Sequence, residues 1–244
     1  RSKSGVDILT YRDVNDLMGQ LEKYEVYGII NCAVAYGRGD ESDEELEDTN
    51  FRLPTRLAIY ASHNNIKLFI NCDSFYRSFS RGIANNKYIF YKKQTFNYLK
   101  ALDLVSQTKI VSATIHHMYG PDDSLNKIIS SVVDRLKKSQ EVNLSACEQR
   151  RYFIDVLDVV KFFKEILANY DALKSFNEID IAGDYHLSTK EIMCKLYDLI
   201  QCGSLNFDAT LYHEIDKNIV LKIDSPAWLS IKQIQIDSSL KRLL

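Results

Sequence analysis

Tyr27-Gly-Ile-Ile-Asn-Cys-Ala-Val-Ala35 is the stretch whose reading decides the fold. It is an apolar run of strand length, and it closes on small residues with Gly37 just beyond, where a flat ligand could approach the backbone. Outward from it, Phe51 to His63 reads as a helix and Ile66 to Cys72 as the next strand. Tyr88 to Leu102 has helical spacing, Lys109 to His116 reads as a strand, and Tyr119-Gly120-Pro121 as a turn. Leu125 to Lys138 sets Leu125, Ile128, Ile129, Val132, Val133 and Leu136 on one helical face. Val156 to Ala168 is a further helix, and Ser188-x-x-Glu191 is a capping box in front of Ile192, Leu196 and Ile200. Continuously apolar strands separated by helices imply a parallel sheet covered on both faces, so the fold class is α/β.

Composition removes several function classes. The chain has 244 residues, 31 basic and 33 acidic, for a formal charge of −2. Such a balance does not supply the basic excess that phosphate neutralisation requires, so no nucleic-acid partner is expected. No apolar run approaches the ~20 residues of a membrane helix, and no signal peptide is visible, so a cytoplasmic location without membrane association is expected. Five cysteines (Cys32, Cys72, Cys147, Cys194, Cys202) form no C-x-x-C pair, which reads as a reducing compartment. His116 and His117 are adjacent on a strand and point to opposite faces, so no metal site is expected. The acidic run from Asp40 to Asp48 reads as a solvated loop leading into the helix that contains Phe51.

One pair of residues suggests chemistry. Tyr88-Ile-Phe-Tyr-Lys92 sets a phenol and an ammonium four apart on a predicted helix, within mutual reach. A nearby lysine charge favours phenolate and is expected to lower the Tyr88 pKa. A tyrosine so tuned gives or takes a proton at an alcohol or carbonyl oxygen. Alone the pair is weak, since a second one, Tyr170-x-x-x-Lys174, also occurs. Its context strengthens it: Cys72-Asp73-Ser74-Phe75-Tyr76 closes a buried strand upstream, and Gln149 to Val160 follows downstream.

The ordered series resembles the extended short-chain dehydrogenase/reductase family, the NAD(P)-dependent epimerases, dehydratases and reductases of nucleotide sugars. Ile29 to Ala35 resembles its strand ending in Ala-Ala, and Asn50 its helix asparagine. Cys72 to Tyr76 resembles its Ser/Thr-bearing strand end, and Tyr88 to Lys92 its Tyr-x-x-x-Lys. Tyr119 to Pro121 resembles its Tyr-Gly-Pro turn, Arg151 to Val159 its Arg-Asp-Phe-Ile-x-Val-x-Asp-Val segment, and Phe176 to Gly183 its Asn-Ile-Gly strand. Within the family, Gly28 to Gly37, Phe69 to Phe75 and Glu148 to Ile154 look most like the CDP-abequose synthase-like reductases of CDP-4-keto-3,6-dideoxy sugars.

The resemblance implies a Rossmann-like core with a small C-terminal substrate-binding lobe. Residues 1–120 would be a partial dinucleotide-binding core, and 121–244 mainly the substrate lobe, with core elements interleaved at about 145–183. The family's Gly-x-x-Gly-x-x-Gly turn has no counterpart among the nine glycines, so the N-terminal βα units are expected to be missing. Tyr88 would protonate the 4-oxygen of a keto sugar as the cofactor delivers hydride. Lys92 would bind the nicotinamide ribose. Cys72 or Ser74 would hydrogen-bond the same oxygen, although a thiol is a weak donor. Ala33, Val34, Ala35 and Ile115 would also line the NAD(P) site, and Asp73, His117, Lys127 and Arg151 would contact the nucleotide sugar, Arg151 at its diphosphate. The expected reaction is 4-keto reduction of a CDP- or dTDP-deoxyhexulose in O-antigen or other polysaccharide synthesis. An epimerase, or a non-catalytic descendant that binds nucleotide sugar or acts as a scaffold, is the alternative. Ser74 replaces the glutamate of the family's 4,6-dehydratases, which argues against dehydration. The resemblance further implies a homodimer through the helices at Phe51–His63 and Tyr88–Leu102.

Overall fold

Helix and strand alternate along the chain as the apolar spacing requires. A computed structural model describes residues 10–37, 40–78, 86–208 and 223–244. In chain order the elements are α1 (Val14–Leu21), β1 (Gly28–Asn31), α2 (Asp43–Glu47), a π-helical turn (Asp48–Arg52), α3 (Leu53–His63) and β2 (Leu68–Ser74). A 3-10 turn (Phe75–Ser78) follows, then α4 (Lys87–Leu102), β3 (Lys109–Ile115), β4 (His117–Tyr119), α5 (Ile128–Lys137), β5 (Glu141–Ser145) and β6 (Arg150–Asp155). The last elements are α6 (Val156–Ala168), β7 (Phe176–Ile181), β8 (His186–Ser188), α7 (Thr189–Ile200), β9 (Ser204–Asp208) and α8 (Ile236–Lys241). Strands β1, β2, β3 and β7 form a sheet in that order. β1 and β2 are parallel, with Gly28 opposite Leu68 and Asn31 opposite Asn71, as the apolar runs predict.

The described residues fall into two compact units, one within Arg1–Arg77, Ile83–Ala113 and Leu173–Asn177, the other within Ser78–Gly82, Thr114–Ala172 and Glu178–Leu244. In the first, Leu53, Leu57, Ala58 and Ala61 of α3 pack with Phe69, Leu99 and Ile110 into a core. Each large side chain buried there contributes about 2 kcal/mol by leaving water. In the second, Val132, Val133 and Leu136 of α5 meet Ile192, Met193 and Leu196 of α7. There β5 pairs in parallel with β9, and β6 lies between β4 and β8. A Cβ on Gly183 would overlap the carbonyl of Phe153, so that close approach demands glycine. The capping box at Ser188 forms as predicted: its hydroxyl accepts from the Glu191 amide at 3.0 Å, and the Glu191 carboxylate accepts from the Ser188 amide.

Two local expectations are corrected. The acidic run is not a loop: from Asp43 it is helix α2, started by a second capping box between Ser42 and Glu45. Its acids sit where the helix dipole favours them, and Leu46 anchors it in the interior. The first strand is also shorter than Tyr27–Ala35. Beyond Asn31 a side chain takes over the work of a ladder: Asn50 Nδ2 donates to the Ala35 carbonyl at 2.7 Å. The same amide nitrogen donates to the Leu46 carbonyl at 3.0 Å, occupying a helical acceptor where the helix widens into its π turn. The Asn50 carbonyl accepts from the Thr95 hydroxyl at 2.6 Å, so the widened turn leaves it satisfied.

Candidate active site

The first unit gathers a polar cluster at the C-terminal end of β2. Parallel strands place loops and ligands at their C-terminal ends, so chemistry-bearing residues there are well positioned. β2 ends in Cys72, Asp73 and Ser74, and α4 presents Tyr88 and Lys92 one turn apart. The helix is held at its start by Asn86, whose side chain accepts from the Ile89 amide. Tyr88 and Lys92 are both buried.

The Ser74 side chain lies beside the Tyr88 phenol and favours its phenolate. Lys92 Nζ donates to the Cys72 carbonyl at 2.9 Å and lies 5.9 Å from the centre of the Tyr88 ring. Burial pushes the Tyr88 pKa well above the usual tyrosine value, with Ser74 partly opposing the rise. The expected lowering by Lys92 is therefore not what this arrangement gives: desolvation of the phenolate outweighs it. Burial likewise lowers the Lys92 pKa, with the Asp73 charge opposing.

Asp73 is turned inward. One of its oxygens accepts from Arg77 Nε at 2.5 Å and Ser112 Oγ at 3.1 Å, and the other accepts from the Ser74 amide at 2.8 Å. It thereby fixes the backbone that carries Ser74. Arg77 lies over the Phe96 ring at 3.7 Å. Cys72 Sγ faces Cys32 Sγ at 3.5 Å, so Ser74, and not Cys72, is the side chain beside the phenol. The Tyr36 ring packs 5.5 Å from that of Tyr88. Ala33, Val34 and Ala35 follow β1, with Ala35 buried and Val34 exposed, and Ile115 ends β3 half-buried.

The second unit holds Ile115 and the remaining predicted residues. Arg151 is buried on β6, and its Nη1 donates to the Arg150 carbonyl at 2.8 Å. His117 on β4 packs edge-on to Phe153. Lys127 precedes α5 and pairs with Asp123 at 2.9 Å. Sequence reasoning missed Cys32, Tyr36 and Arg77 as neighbours of the site. A signal for the first was present: Ile30-Asn31-Cys32 and Ile70-Asn71-Cys72 repeat one tripeptide on two successive strands. The register pairs Ile30 with Ile70 and Asn31 with Asn71, and Asn31 Nδ2 donates to Asn71 Oδ1 at 2.9 Å.

Residues 4–182 match the model of the NAD dependent epimerase/dehydratase family, and the chain belongs to that family. It is 29% identical over 203 residues to a CDP-abequose synthase of Salmonella typhimurium, covering 80% of this chain and 67% of that protein. A CDP-abequose synthase of Salmonella muenchen is 27% identical over 144 residues, 58% of this chain and 49% of that protein. The chain thus spans about half to two thirds of the length of these relatives. Among solved structures, UDP-glucuronic acid 4-epimerase from Bacillus cereus, in complex with UDP-glucuronic acid and NAD, superposes with a TM-score of 0.78 at 14% identity, covering 95% of this chain and 78% of that one. Among the described residues, no helix is long and apolar enough to cross a membrane.

The residues present fit the nicotinamide-ribose end of the family's cofactor. The buried Lys92 ammonium has three donors, and its one hydrogen bond among the described residues goes to the Cys72 carbonyl. A diol beside it would satisfy the rest. The glycine turn that would cradle the pyrophosphate is not among the 244 residues of the sequence.

Proposed function

We propose that this chain carries the proton-transfer machinery of an NAD(P)-dependent nucleotide-sugar reductase. Its reaction is 4-keto reduction of a CDP- or dTDP-deoxyhexulose in O-antigen or related polysaccharide synthesis. The observation that carries the reading is the buried Tyr88 phenol at the end of β2, one helical turn from a buried Lys92 that lies 5.9 Å from its ring. The likeness to CDP-abequose synthases supports the substrate class.

The bound cofactor would supply hydride to the carbonyl carbon. The chain's own residues handle the oxygen. A phenol kept protonated through neutral pH by burial is a proton donor, which is what a ketone oxygen needs as it becomes an alkoxide. Ser74, beside the phenol, offers a second donor. Lys92 would bind the ribose, and its charge would stabilise the phenolate left after the proton departs. Asp73 positions Ser74 through the backbone amide and so acts indirectly. Arg151, His117 and Lys127 are assigned to the nucleotide diphosphate by family resemblance.

The reading includes a cytoplasmic homodimer through α3 and α4, where Phe90 is 53% exposed and Tyr98 packs edge-on to Phe51. Sedimentation of the full-length protein is expected to give a dimer. The test of activity is NADPH oxidation by the full-length protein with CDP- or dTDP-4-keto-deoxyhexuloses. Stoichiometric consumption of the cofactor is expected. Recycling without net consumption would make the protein an epimerase, and no turnover at all would leave a non-catalytic descendant of the family.

A further inference from the structure

Cys32 lies one residue past the end of β1, and Cys72 holds the matching register position within the adjacent parallel strand β2. The β1–β2 register stops at Asn31 opposite Asn71, and one residue further the two thiols face each other with Sγ atoms 3.5 Å apart. Neighbouring strands lie about 4.8 Å apart, which is within the Cα separation a disulfide tolerates. Cys32 is exposed, so an oxidant reaches it, while Cys72 is half-buried behind it. The Cys72 carbonyl anchors Lys92 at 2.9 Å, and Ser74 lies two residues on.

The geometry points to Cys32 and Cys72 as an oxidation site that closes to an intramolecular disulfide and disarms the Tyr88–Lys92 pair. Peroxide is the oxidant. Cys32 thiolate attacks one peroxide oxygen and breaks the O–O bond, giving a sulfenic acid and, after protonation, water. The Cys72 sulfur then attacks the Cys32 sulfur, the S–O bond breaks, and the hydroxyl leaves as a second water with the thiol proton. Two thiols are oxidised to one disulfide and one peroxide is reduced to two waters. The hydrogen bond from Cys72, with the nearby Lys92 charge, brings the Cys32 pKa down to about 7, so much of the thiol is in its nucleophilic form at neutral pH. Closing the bond draws Cys72 towards Cys32 and moves the carbonyl on which Lys92 rests.

The effect on turnover rests on the proposed reductase reading; the disulfide does not. The full-length protein is treated with hydrogen peroxide, alkylated, digested and mapped by mass spectrometry, with turnover measured in parallel. The expected result is a Cys32–Cys72 linked peptide that dithiothreitol removes, and a reversible loss of turnover of about tenfold or more, the scale set by misplacing a positioning group. Cys32→Ser should keep its reduced-state turnover and lose its peroxide sensitivity. If Cys32 and Cys72 are both alkylated after peroxide treatment, or if sensitivity persists in Cys32→Ser, the inference is overturned. If the linked peptide forms but the reduced protein turns over no substrate, the reductase reading fails and the oxidation site stands; if it forms and turnover is unchanged, the coupling to Lys92 is overturned.

Discussion

Each unit buries a tyrosine beside a serine, and the two tyrosines differ in the hydrogen bonds that surround them. In the second unit the Tyr119 hydroxyl meets Ser239 Oγ at 2.7 Å, and Ser239 donates to Asp155 at 2.5 Å. Asp155 is then closed by Arg242, at 2.6 Å to both oxygens, and by the Leu157 amide at 2.8 Å. In the first unit Tyr88 lies beside Ser74 and Tyr36, with Lys92 5.9 Å from its ring and held to the Cys72 carbonyl. Burial raises both phenols, Tyr119 to about 12. Tyr119 is therefore scaffold, its hydroxyl chain completed by a carboxylate and a guanidinium, whereas beside Tyr88 donors of Lys92 remain for a ligand. Closure of the hydrogen-bond network, not burial, separates the two.

Substitutions can break that contrast. The largest effect is expected from Tyr88→Phe, which removes the proton donor. Turnover should fall on the order of 10²–10⁴-fold, with thermal stability near that of the parent. Arg242→Ala should do the reverse: it strips the Asp155 carboxylate of its cation and costs about 2 kcal/mol, reduced from the fully buried case because the arginine is part-exposed. Chemical denaturation would show it as a lower midpoint.

Lys92→Met sharpens the contrast from the other side. A buried ammonium without a closing network costs stability, so this variant should gain about 1 kcal/mol while losing turnover. The sign with pH follows from the lowered lysine pKa: the folded state binds fewer protons than the unfolded one, so parental stability rises as pH climbs towards the ordinary lysine value. The gap between parent and Lys92→Met should therefore narrow in melting curves taken at increasing pH. Tyr119→Phe should have the smallest effect, about 1 kcal/mol for one hydrogen bond, with turnover unchanged.

Much of the first unit was legible in the sequence because its signals are local. Apolar strand runs and the four-residue spacing of Tyr88 and Lys92 need only neighbouring residues; in the second unit α6 likewise starts and ends where its pattern does. The acidic helix was missed although Ser42-Asp-Glu-Glu45 carries a capping box, because the charge run drew attention to solvation. The Tyr119–Ser239 contact spans 120 residues, and the β5–β9 pairing 63. Nothing local specifies either. The phenol's raised pKa was also out of reach, since lysine proximity can be read from spacing and burial cannot. Arg151 is buried against the general habit of arginine, which sequence alone does not reveal.

The central claim is that the Tyr88 phenol delivers the proton. Its most direct test is single-turnover NADPH oxidation by full-length Tyr88→Phe with a CDP-4-keto-deoxyhexulose, with NADPH binding measured on the same sample. The account predicts binding close to the parent's and a chemical step slowed on the order of 10²-fold or more. A chemical step at the parental rate with cofactor bound would contradict it.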